Sequence, residues 1–385
     1  MKDPTLITHA GRDTDPHIEI VNPPVYRAST VLFPSAKALH DHSQPYIYGR
    51  RGTPTTRALE QAICALEGGT RTVLLPSGLA AISCALLALL SAGDEVLITD
   101  SCYGPARHFA DTVLKRMGIA ARYYDPTIGS GIAKLITDKT RVVYCESPGS
   151  LTLEIQDIPA IAREAHAKGA RLIADNTWAS PLFCKPLSLG ADLVVESATK
   201  YIAGHSDVML GAVTANAQTA KALYETHGSM GSCAAPDDVY LTLRGLRTLS
   251  VRMKQHQENA RVLAEWLQGR PEVEQVLHPA MPGAPGHEIW RRDFSGAAGT
   301  FSVMLKACPE KAVHALVDGL KLFGIGYSFG GYESLVLPSD PAAIRTATPW
   351  RGGPLVRFHI GLEDPTDLIT DLEAGFARLA KEAGA

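Results

Sequence analysis

Short apolar, β-branched runs recur along the first part of the chain, each closing in a polar or glycine-bearing turn. Read as buried strands, they cover Thr72–Pro76, Glu95–Thr99, Ala121–Asp125, Arg141–Glu146, Arg171–Asp175, Leu193–Glu196 and Leu210–Ala215. Segments of helical period lie between most of them, at Leu79–Ser91, Pro105–Arg116 and Ile158–Lys168, and another follows the last strand at Ala217–His227. This alternation predicts an α/β fold whose large domain is a mostly parallel, seven-stranded sheet covered by helices on both faces. A ligand then belongs off the carboxyl ends of the strands.

The pattern changes after the break at Gly228–Pro236. Asp237 is read as the cap of one long helix running from Val239 to about Gln268. Strands follow near Val273–Leu277, Thr300–Leu305, Ser334–Leu337 and Leu355–Gly361, with helices near Glu310–Leu320 and Pro365–Ala383. That order suggests a smaller α+β domain with an antiparallel sheet. Residues 1–47 are rich in proline and histidine and weakly periodic, so they read as an extended arm with one short helix near Ala36–Asp41. Such an arm is expected to pack on a neighbouring subunit or domain. The predicted divisions are 1–47 for the arm, 48–236 for the large domain, and 237–385 for the connecting helix and small domain.

Composition narrows the classes. Among 385 residues, 45% are hydrophobic, enough for a large core, and the net charge of -3 comes from interspersed residues. No basic block argues for nucleic acid or an anionic membrane, and no apolar stretch is long enough to span one. The seven cysteines show no paired metal-ligand spacing, and a polar Met1-Lys2-Asp3-Pro4 start gives no secretion signal, which together suggest a reduced, cytoplasmic setting.

Candidate chemistry gathers at the predicted rim. In Leu193-Val194-Val195-Glu196-Ser197-Ala198-Thr199-Lys200, a lysine stands just past a buried strand, with Ser197 and Thr199 supplying hydroxyls for a phosphate. Burial there lowers a lysine pKa and leaves a nucleophilic amine, although the run alone better fits a rim lysine with its head in water, and Asp175 upstream is what shifts the reading. Asp175 closes another strand, and a lysine imine with a carboxylate facing a pyridinium nitrogen is what a pyridoxal phosphate site requires. Ser77-Gly78-Leu79 forms a strand–turn–helix start suited to a phosphate, and also to an ordinary turn. No glycine fingerprint for a dinucleotide follows the first strand. Tyr103 sits past the second strand, where an aromatic ring stacks on a planar cofactor or pins a loop. In Leu355–Gly361, Val356, Phe358 and Ile360 share one face, leaving Arg357 and His359 on the other, which is either a carboxylate site or a solvated face.

Taken together, Ser197-Ala198-Thr199-Lys200-Tyr201, Asp175-Asn176-Thr177, Tyr48-Gly49-Arg50 and Arg357-Phe358-His359-Ile360-Gly361 resemble the Cys/Met-metabolism enzymes, pyridoxal-phosphate proteins of the aspartate-aminotransferase fold type. The resemblance implies that Lys200 binds the cofactor and moves the substrate Cα proton. It further implies that Asp175 pairs with the pyridine nitrogen, that Tyr103 stacks on the ring, and that Gly78, Leu79, Ser197 and Thr199 hold the phosphate. Tyr48 and Arg50 are implied to reach in from an adjacent subunit of a dimer, or dimer of dimers, with shared sites. Arg357, with Ser328, is implied to hold the substrate carboxylate. Within the family, Glu146-Ser147-Pro148-Gly149-Ser150-Leu151, Tyr327–Glu333 and His287–Phe294 resemble the cystathionine β-lyase branch, with Ser150 where γ-synthases and γ-lyases carry asparagine. Phe329 departs from the tryptophan usual in that branch. The implied reaction is β-elimination from an amino-acid thioether; γ-elimination or γ-replacement, and a non-catalytic cofactor-binding regulator, are the alternatives.

Overall fold

A computed structural model of the chain describes residues 1–12 and 20–384; part of the predicted arm, residues 13–19, lies outside the described residues. Seven strands form the larger sheet: β1 (Arg71–Leu75), β2 (Glu95–Thr99), β3 (Ala120–Tyr124), β4 (Thr140–Glu146), β5 (Arg171–Asp175), β6 (Leu193–Glu196) and β7 (Gly211–Ala215). Their order is β1-β7-β6-β5-β4-β2-β3, and only β7 runs against its neighbours. Side-chain alternation splits the sheet between two cores. On β5, Ile173 joins Val96, Ile98, Val195 and Val213 on one face, while Leu172 and Ala174 join Leu97, Val143 and Val194 on the other. Each fully buried aliphatic side chain contributes on the order of 1.5–3 kcal/mol. Register matters here: Glu146 lies beside Asp175 and Asp175 beside Val195, which brings the ends of β4, β5 and β6 to one rim.

The second sheet contains β8 (Val273–Leu277), β9 (Thr300–Leu305), β10 (Gly324–Ile325), β11 (Leu335–Ser339) and β12 (Leu355–His359), in the order β10-β11-β12-β9-β8. It is antiparallel except for the short β10–β11 pairing, a strand that the pattern of hydrophobic positions missed. Phe301, Val303, Val336, Val356 and Phe358 form a core with residues of the helices Glu310–Asp318 and Pro365–Ala383.

Three expectations are corrected. The long helix is two, Pro236–Leu246 and Leu249–Gln268, broken at Arg247-Thr248. Gly245 abuts the turn after β6 so closely that a Cβ would sit 2.1 Å from the Ala203 carbonyl oxygen, and Arg252 takes the Gly245 carbonyl at 2.9 Å. Asp237 is not the cap, which falls at Ala235; its carboxylate pairs instead with Arg27. The arm begins with a helix, Asp3–His9, that the sequence pattern missed, and Ile7 is fully buried in this chain's own core. Arg247 Nη1 donates to the carbonyls of Ile7 (2.6 Å) and Ala10 (2.8 Å), so this end of the arm is fastened to its own subunit. The short helix at Ala36–Asp41 is present.

A buried carboxylate ties the two sheets together. Asp100, just past β2, accepts the backbone N–H groups of Thr346 (3.1 Å), Ala347 (2.9 Å) and Thr348 (2.6 Å) from the loop between β11 and β12. Arg107 donates to the same carboxylate at 2.5 Å. Successive amides turned inward make a cradle for an anion, and here the anion is a side chain of the other sheet.

Candidate active site

The turn after β6 carries Lys200 because the strand ends where Ser197-Ala198-Thr199 breaks the β-branched run. Backbone bonds from Lys200 N to Ser197 O (2.9 Å) and from Gly204 N to Lys200 O (2.8 Å) wind it into a tight coil. Arg252 donates to the carbonyls of Tyr201 (2.8 Å) and Ile202 (3.3 Å), satisfying groups that this coil leaves unpaired. Lys200 Nζ donates to the Ser328 hydroxyl at 2.6 Å and lies 5.1 Å from the Phe329 ring centroid. Burial, reinforced by the nearby Arg357 charge, brings its pKa down to about 8, and the Asp175 carboxylate opposes the fall. Lys200 is thus a half-buried amine of lowered pKa, as the sequence led one to expect for a nucleophile.

Asp175 ends β5 one strand away. Its Oδ1 accepts the Thr177 N–H at 3.0 Å and its Oδ2 the Tyr144 hydroxyl at 3.2 Å. Burial pushes its carboxyl above the usual range, against the pull of these donors and Lys200. Glu146, at the end of β4, is pushed up further by burial and by the Asp175 charge, and its Oε2 accepts the Tyr103 N–H at 2.7 Å. Tyr103 is 44% exposed, so its ring is open to a ligand; burial first, then Glu146, raises its hydroxyl pKa.

The helix Gly78–Leu89 starts at this rim, with the Ser77 hydroxyl accepting the Ala80 N–H at 3.1 Å. The amides of Gly78 and Leu79 precede the first intrahelical bond and point out of the helix start. A Cβ on Gly78 would fall 2.5 Å from Ser197 Oγ, so glycine is what lets the two segments touch. The Ser197 N–H is fixed by Thr177 Oγ1 at 2.9 Å. Thr199 bonds to the backbone opposite. Its hydroxyl donates to Leu210 O (3.1 Å) and accepts from Leu210 N (2.9 Å), so its one proton already serves the backbone.

Arg357 comes from the second sheet. It is 9% exposed, which removes the solvated-face alternative, and its Nη2 donates to the Ser328 carbonyl at 3.0 Å. Ser328 holds φ at +87°, a conformation that L residues adopt at a cost of about 1–3 kcal/mol. Its hydroxyl takes Lys200 while its carbonyl takes Arg357, so one strained residue links both cations.

The remaining candidates stand apart. Ser150 donates its N–H to Ser101 O at 2.9 Å, two residues before Tyr103. Arg50 Nη1 donates to Gly228 O of its own chain at 2.6 Å, and Tyr48 is 46% exposed. Neither bonds to the Lys200 cluster among the described residues. Sequence reasoning missed Tyr144, Glu146 and Thr177 as members of the site. The strand register would have placed Glu146 beside Asp175, but register is not written in a run of buried residues.

The family model for Cys/Met metabolism PLP-dependent enzymes matches residues 4–377. A putative cystathionine beta-lyase of Rhizobium johnstonii is 50% identical over 97% of this chain and 95% of the relative. The cystathionine beta-lyase MetC of Escherichia coli K12 is 42% identical over 97% of this chain and 98% of its own. A crystal structure of cystathionine gamma synthase from Xanthomonas oryzae pv. oryzae, in complex with aminoacrylate and cysteine, superposes with a TM-score of 0.92 at 36% identity, covering 99% of each chain. With the lysine and the carboxylate on one rim and the arginine of the second sheet joined to the lysine through Ser328, this agreement along nearly the whole length settles the classification: the chain belongs to the Cys/Met metabolism PLP-dependent enzyme family.

Proposed function

We propose that this enzyme is a cystathionine β-lyase, converting L-cystathionine and water to homocysteine, pyruvate and ammonia. The meeting of Lys200 and Arg357 on Ser328 carries the reading, because it sets a base beside a carboxylate clamp. The β-lyase relatives at 42–50% identity support the choice of bond over the γ-acting alternative.

The donor set fits pyridoxal phosphate. Lys200 offers a half-buried amine of lowered pKa, Asp175 a carboxylate with both oxygens oriented, and Gly78 and Leu79 free amides against Ser197. When bound, the cofactor supplies an aldehyde for amines and a protonated ring that accepts electrons. Lys200 would hold it, Asp175 would keep a proton on its ring nitrogen, and Tyr103 would cover its face. Gly78, Leu79 and Ser197 would hold its phosphate, joined by Thr199 only if that hydroxyl released Leu210. Arg357 and Ser328 would orient the substrate carboxylate, with Ser150 and Tyr48 facing the rest of the substrate. Once free, the Lys200 amine would take the proton from the substrate Cα, and the thiolate of homocysteine would leave from Cβ.

The divisions 1–47, 48–236 and 237–385 describe how we read the chain's functional parts, with the second sheet supplying the carboxylate clamp. Among the described residues no helix is long and apolar enough to cross a membrane. We place the enzyme in the cytoplasm as a homotetramer, a dimer of dimers, in which Tyr48 and Arg50 complete a neighbouring copy's phosphate site. Product analysis tests the activity: pyruvate and homocysteine are expected from cystathionine, whereas 2-oxobutyrate and cysteine would identify γ-elimination. Mixing Lys200→Ala with Arg50→Ala subunits tests the shared site. Recovery of activity after subunit exchange is expected, and no recovery despite exchange would refute it.

A further inference from the structure

His359 lies two residues from Arg357 on β12 and is 1% exposed, yet nothing above gives it a task. Its surroundings are fully specified. Nε2 accepts the Gly330 N–H at 3.0 Å, and Nδ1 lies 3.3 Å from Thr300 Oγ1. Thr300 Oγ1 is also 3.0 Å from the Tyr201 hydroxyl, which in turn accepts the Gly299 N–H at 3.0 Å.

One ring tautomer satisfies the Gly330 N–H, at the cost of leaving the Gly331 carbonyl, 3.1 Å from Nε2, without that donor. Gly330 is a backbone donor, so Nε2 must present its lone pair and the ring hydrogen must sit on Nδ1, directed at Thr300. Tyr201, with its own acceptor role filled by Gly299, donates to Thr300 as well. The other tautomer would aim Nε2–H at Gly331 O, 3.1 Å away, and strand the buried Gly330 N–H. Burial and the neighbouring His256 hold the imidazole neutral, with a pKa down to about 3, so the lone pair is present at any working pH.

The bond to Gly330 controls more than one residue. Gly330 has φ +86°, and a Cβ there would fall 2.7 Å from Tyr201 N and 2.9 Å from the Lys200 carbonyl carbon. The loop is thus pressed directly onto the lysine coil, and Ser328, two residues earlier, must keep its strained φ to face Lys200 and Arg357. Tyr201, through Thr300, connects the coil to the same imidazole.

We propose that His359 is a positioning residue that, as an Nδ1–H tautomer clamped between Thr300 and Gly330, fixes Ser328 in register with Lys200 and Arg357 and thereby sets substrate-carboxylate affinity. The inference rests on the lyase reading for its kinetic arm. The test compares His359→Leu, which removes the acceptor, with His359→Gln, whose side-chain carbonyl replaces Nε2, and with Thr300→Val, which removes the Nδ1 partner. His359→Leu and Thr300→Val are each expected to raise KM for cystathionine by about tenfold or more, the loss of a hydrogen-bond partner in a buried site, with kcat changed less. His359→Gln should return KM to within about threefold of the parent. Hydrogen exchange of the peptide spanning 328–331, followed by mass spectrometry on the holoenzyme, should speed up in His359→Leu and recover in His359→Gln. Wild-type KM in both His359→Leu and Thr300→Val, or a glutamine variant no better than leucine, would overturn the proposal. If His359→Leu does not fold, the glutamine and valine variants decide. An inactive parent would instead refute the lyase reading, while the exchange comparison still judges the clamp.

Discussion

The Tyr144 hydroxyl donates to Asp175 Oδ2 across neighbouring strands at 3.2 Å, both groups being buried. That bond, with the Thr177 N–H, is what keeps a carboxylate ionisable in a setting that otherwise favours its neutral form. Asp175→Asn should lower kcat by roughly 10²–10³-fold, the scale of losing one preorganised charge from an enclosed site. Tyr144→Phe should cost much less, about tenfold or below, because only one neutral donor is lost. Steady-state kinetics with cystathionine checks both; equal losses would mean that Asp175 acts only as a structural acceptor.

Lys200 offers a direct titration. With its pKa at about 8, the amine of cofactor-free protein should react with an amine-selective reagent with a pH midpoint near that value, well below the usual lysine range. Removing a like charge relieves the cation, so Arg357→Leu should move the midpoint up. Removing the carboxylate does the reverse, so Asp175→Asn should move it down. Peptide mapping of the label at Lys200 across pH reads all three. In the loaded enzyme, borohydride should fix the cofactor to the peptide containing Lys200, and Lys200→Ala should show neither that adduct nor turnover.

Arg357→Ala should raise KM for cystathionine by about 10–150-fold, the range expected when a charged hydrogen-bond partner is removed. Arg357→Lys should recover only part of that, since an ammonium cannot bond a carboxylate through a planar fork. Substrate analogues lacking the carboxylate should show a much smaller change in KM between the variants.

Behind the rim, Glu67 and Glu196 are both buried, at 1% and 2% exposure, and Glu67 is pushed up to about 7, chiefly by burial. A folded pKa above the unfolded value means that the native state holds more protons between about pH 4.5 and 7. Stability from this pair is therefore greatest below pH 4.5 and is lost as pH rises through 7. Glu67→Gln should raise Tm at pH 8 and change it little at pH 5, with a gain on the order of 2 kcal/mol. Thermal unfolding at the two pH values checks it, and an equal shift at both would contradict the assignment.

The large sheet was legible because each of its strands is a bounded apolar run, and Asp175 and Lys200 stood out as charged residues where such runs stop. Arg357 was found, but a strand with Val356, Phe358 and Ile360 inward reads the same whether its other face meets water or a second sheet. Its burial became visible only once Ser328 closed over it. The split of the long helix escaped because nothing in Leu246-Arg247-Thr248-Leu249 rules out helix; the break falls two residues after Gly245, which lies against Ala203. Thr199 showed the converse. Its place in the motif was clear, whereas the Leu210 backbone that occupies its hydroxyl comes from a segment eleven residues downstream with no sequence mark of contact.

The cradle of Thr346, Ala347 and Thr348 around Asp100 bears on how this scaffold can be re-engineered. Two residues separate Asp100 from Tyr103, and the cradle loop leads into the strand that bears Arg357. A chimaera that imports a relative's second sheet without its matching segment around Asp100 and Arg107 would leave a buried carboxylate facing the wrong amides. Recombination breakpoints should therefore keep residues 100–107 and 344–348 from the same parent.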